Sequence, residues 1–369
     1  MMENVTYIFA KGRKNNFENN LIQARDFYYG LTSFEKEKFN INIIELNAQK
    51  GLLHNLLKLL DKILQRVFSL PFYSSHLTNL KNYKILRKSQ QIIMVNESVA
   101  CSAFLMLPFL KLFTDVKISV FVMGLYSKKL KYPLFKKIHQ LLIRIVIRYI
   151  DNIFFLGIGE LEIARTIHKN DSKLIFFPFS IDTEFWSDRS KVSSGNKNDI
   201  IFVGNDGSRD VKLLTNLAEK LNNYNFIFVS NIQHLQNINI KNVELYSGKW
   251  GDGRITDMEL KSLYLNSKLS IIPLKETSQP SGQSVALQSM SLGIPVLISR
   301  TKGFWDPETI LENKDIFFIE ESSVDAWKKK IEQIFEDKKL YESVQENAKM
   351  KIKENYSIEK FHHRLHSYL

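Results

Sequence analysis

The sequence has 369 residues, of which 44% are hydrophobic and 24% are charged. This composition is typical of a soluble globular protein, and the length predicts two domains, because single cores seldom grow beyond ~250–300 residues. The single cysteine, Cys101, excludes internal disulfides and thiolate metal clusters. The most apolar run, Val99–Leu110, is shorter than the ~18–20 residues that span a bilayer. We expect a cytoplasmic protein without a signal peptide or a transmembrane helix.

The positive charge is concentrated in the first half of the chain. The net charge is +12, and residues 1–185 contain 26 Lys and Arg against 15 Asp and Glu, a net charge of +11. Residues 186–369 contain 25 against 24, a net charge of +1. This asymmetry favours an anionic partner for the first half, either a membrane surface or a nucleic acid.

Short apolar runs alternate with amphipathic segments, which is typical of βα units and parallel sheets. In the first half, the predicted strands are Val5–Ala10, Ile41–Leu46, Ile92–Val95, Val116–Val122, Asn152–Leu156 and Leu174–Phe177, and the predicted helices are Phe17–Leu31, Leu52–Phe68, Ser98–Phe113 and Pro133–Tyr149.

The pattern starts again after the polar segment Ser187–Asn198, which is the predicted linker. The strands predicted beyond it are Ile200–Val203, Phe226–Ser230, Val243–Tyr246, Leu269–Pro273 and Pro295–Ser299, and the helices are Asp210–Leu221, Asp257–Asn266, Ser284–Leu292 and most of Ala326–Tyr356. Two doubly wound α/β domains would place a ligand cleft between the carboxyl ends of their strands.

The most informative stretch is residues 269–306, where a strand, a polar loop, a helix and a second strand follow one another. Gly282 allows close approach of the backbone, and Ser281 is a candidate helix cap. The start of the helix is a candidate phosphate site. Gln288 lies four residues after Ser284, so both can face one ligand. The alternative is a plain strand–loop–helix crossover with a serine cap.

The run from Gln288 to Val296 resembles the donor-site signature of the family 4 retaining glycosyltransferases, which reads acidic-Ala-Met-x-x-Gly-x-Pro-Val. This resemblance implies the GT-B fold, an α/β fold with two Rossmann-like, doubly wound parallel-sheet domains that face a cleft. In the family, the residue that matches Gln288 is usually a glutamate that holds the ribose hydroxyls. A second glutamate, which touches the sugar, is usual at the position of Pro280. Glutamine offers hydrogen bonds without a charge.

The segment Asp199–Lys220 is similar to the first strand of the family's C-terminal domain, whose loop supplies basic side chains to the diphosphate. Arg209 is therefore the candidate catalytic residue, because a guanidinium can bind two phosphate oxygens as charge develops on the leaving nucleotide. The alternative is an exposed loop arginine paired with Asp206 or Asp210. The full donor site that the resemblance implies consists of Gly204, Asn205, Arg209, Gln279, Ser281, Gly282, Gln283, Ser284 and Gln288.

The domain organisation also follows from the resemblance. It implies an N-terminal acceptor-side domain at residues 1–186 and a donor-binding domain at residues 187–355, with the final helix, residues 356–369, packing back on the first domain. The segment Lys173–Trp186 resembles the family's hinge, in which we expect Asp182 to cap a turn.

Three residues of the first half are candidates for the acceptor side or for loops beside the donor. Gly12, which follows the first predicted strand, would allow a phosphate to approach the backbone, and a simple β-turn is the alternative. Met123 and Gly124 end a strand at the place where many relatives have a histidine near the transferred sugar.

Neither a metal nor a cofactor is expected, and a nucleotide-diphosphate sugar is the expected substrate. No Asp-x-Asp motif lies near a predicted strand end, and no cluster of His, Cys and carboxylates has metal-ligand spacing. The family transfers sugar with retention, by attack of the acceptor on the face from which the leaving phosphate departs. In that reaction the enzyme mainly positions the reactants and stabilises the leaving charge.

The basic segment Ser127–Arg148 has seven Lys and Arg residues among large apolar ones. It predicts a membrane-surface helix, or else a core helix with a solvated basic face. We expect a lipid, lipid-linked or saccharide acceptor, used in cell-envelope glycan or glycolipid synthesis at the inner face of the cytoplasmic membrane, and no nucleic acid. The alternatives are a catalytically weak sugar-nucleotide-binding relative and a sugar-nucleotide epimerase.

Overall fold

The protein is described by a computed structural model that covers residues 3–34, 38–128, 133–169, 171–187, 198–248 and 254–369. It forms two compact units, of which the first consists of Met1–Ile22, Tyr28–Pro178 and His362–Leu369. The second unit consists of Gln23–Phe27 and Phe179–Phe361. This division falls at Pro178 rather than at residue 186, and it assigns Gln23–Phe27 to the second unit. Residues 188–197 of the predicted linker lie outside the described residues.

The first unit contains a six-stranded parallel sheet with the order β2-β1-β3-β4-β5-β6. Its strands are β1 (Glu3–Phe9), β2 (Phe39–Glu45), β3 (Gln91–Met94), β4 (Lys117–Val122), β5 (Asn152–Phe155) and β6 (Leu174–Phe176). Its helices are α1 (Lys14–Glu18), α2 (Leu52–Phe68), α3 (Ser74–Leu77), α4 (Leu80–Leu86), α5 (Glu97–Ala103), α6 (Leu107–Phe113), α7 (Lys136–Ile147) and α8 (Ile158–His168). The central strands are apolar on both faces because helices cover both sides of a parallel sheet.

The second unit contains another six-stranded parallel sheet, with the order β12-β11-β10-β7-β8-β9. Its strands are β7 (Asn198–Val203), β8 (Phe226–Val229), β9 (Val243–Tyr246), β10 (Ser267–Ile272), β11 (Val296–Ser299) and β12 (Phe317–Ile319). Its helices are α9 (Val211–Lys220), α10 (Gln233–Gln236), α11 (Asp257–Leu265), α12 (Gln283–Ser291), α13 (Val324–Glu336), α14 (Lys338–Asn355) and the start of α15 (Ile358–His366). Counted within the unit, this is the Rossmann order 3-2-1-4-5-6.

The predicted α/β fold with two doubly wound parallel sheets is confirmed, and two of the predicted helices are wrong. Phe17–Leu31 is not one helix, because Asn20, Tyr29 and Gly30 have positive φ angles of 54°, 49° and 83°, which a right-handed helix does not accept. Ser98–Phe113 is divided into α5 and α6, and Pro108 lies in the first turn of α6, where the missing N–H costs nothing.

The chain's last residues belong to the first unit. The carbonyl oxygen of Leu369 accepts hydrogen bonds from Gln91 Nε2 at 2.8 Å and from Lys117 Nζ at 2.9 Å. The ring of His366 lies 5.0 Å from that of Phe34.

No helix among the described residues is long and apolar enough to cross a membrane.

Candidate donor site

The second unit has a pocket at the point where its strand order reverses. Strand β7 pairs with β8 on one side and with β10 on the other, so the chain leaves these strands in opposite directions and opens a crevice at their carboxyl ends. The pocket has a volume of about 340 Å³, within the size range of small-molecule sites. It is lined by Phe27, Val203, Gly204, Asn205, Asp206, Arg209, Val229, Gly248, Ile255, Thr256, Asp257, Leu260, Ser284, Val285 and Gln288.

Arg209 brings a buried cation to the wall of this pocket. The residue is 4% exposed, and its Nη2 lies 3.3 Å from Asp206 Oδ2. Its Nε and Nη1 atoms are buried without a hydrogen-bond partner among the described residues. Burial lowers the pKa of the guanidinium, which still stays charged at neutral pH because its ordinary pKa is so high. Two unsatisfied donors on a buried cation fit an anionic ligand. Of the expected alternative, an exposed arginine paired with Asp206 or Asp210, the structure has the pairing with Asp206 but not the exposure.

Two glycines make room for the guanidinium. A Cβ atom on Gly204 would lie 2.2 Å from Arg209 Nε, and one on Gly282 would lie 2.9 Å from Arg209 Nη1 and 2.7 Å from Ile272 Cγ2. Gly282 also has a φ angle of +81°, which disfavours any other residue. Both loops therefore need glycine for Arg209 to reach its position.

Helix α12 begins beside Arg209. The N-cap residue is Gly282, which has no side chain to cap the helix, so the predicted cap by Ser281 is wrong. The Ser281 hydroxyl is instead buried without a partner among the described residues. The first N–H groups of a helix carry a partial positive charge. They add to the charge of Arg209 at this end of the pocket, and Ser284 and Gln288 line the pocket one turn apart.

Gln288 makes a hydrogen bond that the sequence did not indicate. Its Nε2 donates to Asp26 Oδ2 at 2.8 Å, and Trp186 Nε1 donates to the same oxygen at 2.8 Å. The backbone N–H of Asp182 donates to Asp26 Oδ1 at 2.6 Å. Burial raises the pKa of Asp26 to about 7. Because Asp26 was predicted to lie within a helix, nothing in the local pattern marked it as part of this site.

Asp182 holds the segment that carries Asp26. It accepts hydrogen bonds from Arg25 Nε at 2.6 Å and Nη2 at 2.7 Å, and from the backbone N–H of Phe185 at 3.3 Å. Burial would raise the pKa of Asp182, but the hydrogen bonds and charge of Arg25 hold it below its ordinary value. Besides capping the turn as expected, Asp182 therefore fixes Gln23–Phe27 to the second unit.

The remaining predicted donor residues have other contacts. Asn205 lines the pocket, but its Nδ2 donates to Gly248 O at 3.1 Å and its Oδ1 accepts from Asn231 N at 2.5 Å, so it joins three loops at the strand ends. Gln279 has a backbone N–H that donates to Thr277 Oγ1 at 3.0 Å. Gln279, Ser281, Gly282 and Gln283 are not among the residues that line the pocket.

The predicted acceptor-side residues lie in the first unit. Gly12 follows β1 with a φ angle of +81° and is exposed. Met123 and Gly124 follow β4, and the backbone N–H of Met123 donates to Glu97 Oε2 at 3.3 Å. These positions are all at the carboxyl ends of the strands of the first sheet.

A second carboxylate at this edge was not predicted. Glu160 is fully buried in the first turn of α8, and its Oε1 accepts a hydrogen bond from Tyr126 N at 2.7 Å. Burial, with a further contribution from the charge of Glu97, raises the pKa of Glu160 to about 8. Its position three residues after the Gly157 N-cap was the available signal, since parallel sheets collect functional side chains at this edge.

The comparisons with known proteins agree with this architecture. Residues 185–351 match the family model described as glycosyl transferases group 1. A search of curated proteins finds no match.

Solved structures with the same fold cover nearly the whole chain. A glycosyltransferase from Rickettsia africae ESF-5 is 15% identical, with a TM-score of 0.64 over 100% of this chain and 97% of that one. Anabaena HepE, solved with UDP and glucose, is 11% identical, with a TM-score of 0.67 over 100% and 99%. Sucrose-phosphate synthase from Thermosynechococcus elongatus is 11% identical, with a TM-score of 0.69 over 99% and 98%. Residues 185–351 thus match a glycosyl transferases group 1 domain, the whole chain has the GT-B fold of these solved structures, and the two findings together support a transferase enzyme.

Proposed function

We propose that this glycosyltransferase moves a sugar from a nucleotide-diphosphate sugar to a lipid, lipid-linked or saccharide acceptor, with retention and without a metal. The observation that carries the proposal is the guanidinium of Arg209, which lines the pocket with Nε and Nη1 buried and unpaired in the described part of the chain. An unsatisfied buried donor costs about 1–3 kcal/mol, and more when it is charged. A diphosphate would remove that cost.

The diphosphate would bind between Arg209 and the start of α12. The positive charge of the guanidinium and the partial charge of the helix end both act in a site shielded from water, where they are stronger than in solution. They supply the positive charge that a metal provides in other transferases, which is the basis of the metal-independent proposal. In this site, Arg209 is the catalytic residue.

The nucleoside would occupy the apolar part of the pocket. Phe27, Val203, Val229, Ile255 and Leu260 offer apolar contacts for a base. Gln288 lies on the same wall as Ser284 and offers hydrogen bonds to ribose hydroxyls. HepE has been solved with UDP-glucose, which makes uridine diphosphate sugars the first donors to test.

In the proposed reaction, the acceptor hydroxyl attacks the anomeric carbon on the face from which the phosphate leaves. The bond from that carbon to the phosphate oxygen breaks, the acceptor oxygen forms the new bond, and its proton passes to the leaving phosphate. Arg209 and the end of α12 stabilise the charge on the leaving nucleotide. Removal of one such donor typically lowers kcat by about 10²–10³-fold.

The proposal extends to an anionic membrane surface, which is supported by helix α2. Six large apolar residues of α2 are between 41% and 90% exposed, namely Leu52, Leu53, Leu56, Leu59, Leu60 and Ile63. At 100° per residue they occupy one face of the helix. Lys58, Lys62 and Arg66 form an exposed basic strip along one side of that face, and Leu57 and Asp61 are buried on the other side.

Helix α7, which packs against α2, has the same character. Its exposed residues include Lys136, Lys137, Ile138 and Leu141. An exposed apolar face with adjacent lysines and arginines is the signature of a helix that lies in the interface of an anionic membrane. A location at the inner face of the cytoplasmic membrane, where lipid-linked acceptors are found, fits this surface.

The experiment that tests the donor proposal is a thermal-shift screen of the purified protein in EDTA with UDP-, GDP-, ADP- and CMP-sugars. A ligand at ~100 times its Kd adds about 2.7 kcal/mol to the free energy of unfolding, so a selective donor gives a clear shift. Release of free sugar without an acceptor would indicate an epimerase or hydrolase activity instead. No shift with any donor would contradict the proposal.

A further inference from the structure

The donor pocket has a carboxylate directly behind Gln288. Asp26 is 2% exposed, and the hydrogen bonds that the structure gives its carboxylate all come from neutral groups, namely Gln288 Nε2, Trp186 Nε1 and the backbone N–H of Asp182. Burial of a carboxylate without a cation costs free energy. An apolar residue at position 26 would avoid that cost. We therefore expect a role that only an acidic side chain can fill.

We propose that Asp26 is a positioning residue for the donor, which fixes the amide of Gln288 so that its carbonyl oxygen accepts a hydrogen bond from a ribose hydroxyl. This inference rests on the proposed function. It assigns a role to a residue that lies more than 250 positions away in sequence from the helix it acts on.

The orientation of the amide follows from the chemistry of its partner. An ionised carboxylate only accepts hydrogen bonds, so the side of Gln288 that faces Asp26 has to be the NH₂ group. Oε1 of Gln288 is then the group left for the pocket that the residue lines, and it makes no hydrogen bond within the described residues. Without Asp26, the amide could turn over and present a donor instead.

Asp26 is itself held firmly. The neighbouring Arg25 forms a two-pronged hydrogen bond with Asp182, and the backbone N–H of Ala24 donates to Asp257 Oδ2 at 3.3 Å. A side chain fixed by such supporting bonds keeps a ligand-binding group in place more accurately than a free one. Asp26 thus supplies the acidic group, and Gln288 supplies the hydrogen-bond acceptor, from two different segments of the chain. A single glutamate at position 288 would combine both.

The protonation state of Asp26 should control the orientation. The titratable and charged groups around it are Asp182, Asp257, Tyr264 and, through Tyr264, Arg209. Burial, and to a smaller degree the charge of Asp257, place the pKa of Asp26 at about 7. Once protonated, Asp26 carries a hydroxyl that can donate to Oε1 of Gln288, which turns the NH₂ group towards the ligand.

The test compares UDP with 2′-deoxy-UDP and 3′-deoxy-UDP by calorimetry, with GDP and ADP in parallel. For wild type at pH 8 we expect about tenfold weaker binding of at least one deoxy analogue, the cost of one hydrogen bond to a buried group. Asp26→Asn, whose amide can donate or accept, should reduce that ratio to about twofold or less. Asp315→Asn is the matched control, a buried aspartate of the same unit that does not line the pocket, and it should keep the wild-type ratio.

Wild type measured from pH 8 to pH 6 gives the same test without a substitution. The ratio should fall as the pH drops through about 7, which keeps the inference testable if Asp26→Asn fails to fold. An unchanged ratio in Asp26→Asn, equal weakening of all three nucleotides, or a pH-independent ratio in wild type would overturn the inference and indicate a structural role alone. No binding of UDP, GDP or ADP by wild type would contradict the proposed function itself.

Discussion

The Nε atom of Arg209 lies only 2.2 Å from the place that a Cβ atom would occupy on Gly204. The guanidinium therefore occupies the space that a side chain on Gly204 would fill. Arg209, the candidate catalytic residue, can take this position only because residue 204, in the loop after β7, has no Cβ atom.

Gly204→Ala should displace Arg209 and weaken nucleotide binding. A contact of 2.2 Å cannot be accommodated without movement of the guanidinium, so we expect the Kd for UDP to rise by about tenfold or more. Gly207→Ala is the matched control in the same loop, because its Cβ would meet nothing within 4 Å. Calorimetric titration of both variants checks this, and equal affinities for the two would count against the geometry described.

Gln288→Ala should raise the KM for the donor by about tenfold, because a hydrogen bond to a buried group is lost. Gln333→Ala, an exposed glutamine on α13, is the control and should behave as wild type. Initial rates at varied donor concentration measure the effect. If Gln288→Ala leaves donor affinity and rate unchanged, the donor site is assigned to the wrong helix.

The titration of Asp26 should appear in the stability of the protein. Its pKa is raised from 3.8 to about 7 in the folded state, so between these values the folded state holds a proton that the unfolded state has lost. The contribution of Asp26 to the free energy of unfolding is therefore largest at low pH, falls as the pH rises towards about 7 and is constant above it.

Asp26→Asn removes this titration, which gives the measurement. The Tm of wild type minus that of Asp26→Asn should be larger at pH 5 than at pH 8, as followed by circular dichroism. A difference that stays constant or grows with pH would show that the pKa of Asp26 is not raised in the folded state.

The exposed face of α2 should bind anionic vesicles. The double substitution Leu56→Ser and Leu59→Ser removes two side chains that are 65% and 58% exposed, so we expect weaker sedimentation with phosphatidylglycerol vesicles and little change in Tm. Leu311→Ser, at a 42% exposed leucine of the second unit, is the control. Neutral phosphatidylcholine vesicles and high salt should reduce binding of wild type, and binding that is indifferent to both would argue against an anionic surface.

Much of the fold could be predicted because each strand carries its own signal. The predicted strand Val116–Val122 differs from β4 by one residue, since an apolar run between polar turns marks a buried strand locally. The strand Phe317–Ile319 was not predicted, although the apolar run Ile316–Ile319 is as long as the run Leu174–Phe177 that predicted β6. The break between α5 and α6 required attention to Pro108 within an otherwise helical run.

The candidate site was predictable where it depends on adjacent residues. Gly204 and Arg209 lie in one loop, and Gly282, Ser284 and Gln288 in one turn and helix, so their spacing is visible in the chain. Asp26 was not predictable, because its partners Trp186 and Gln288 are 160 and 262 positions away. Contacts between residues so far apart in sequence depend on the tertiary fold, which local sequence patterns do not show.

The most direct test of the donor site is a calorimetric titration of UDP, GDP and ADP in EDTA into wild type, Arg209→Met and Lys212→Ala. Methionine keeps much of the length of arginine without its charge, and Lys212 is an exposed residue of α9 outside the pocket. We predict that one nucleotide binds wild type and Lys212→Ala alike, and that Arg209→Met weakens it by about 100-fold, the loss of charged hydrogen bonds worth about 3 kcal/mol. Equal affinity in Arg209→Met and wild type would contradict the assignment of this pocket as the diphosphate site.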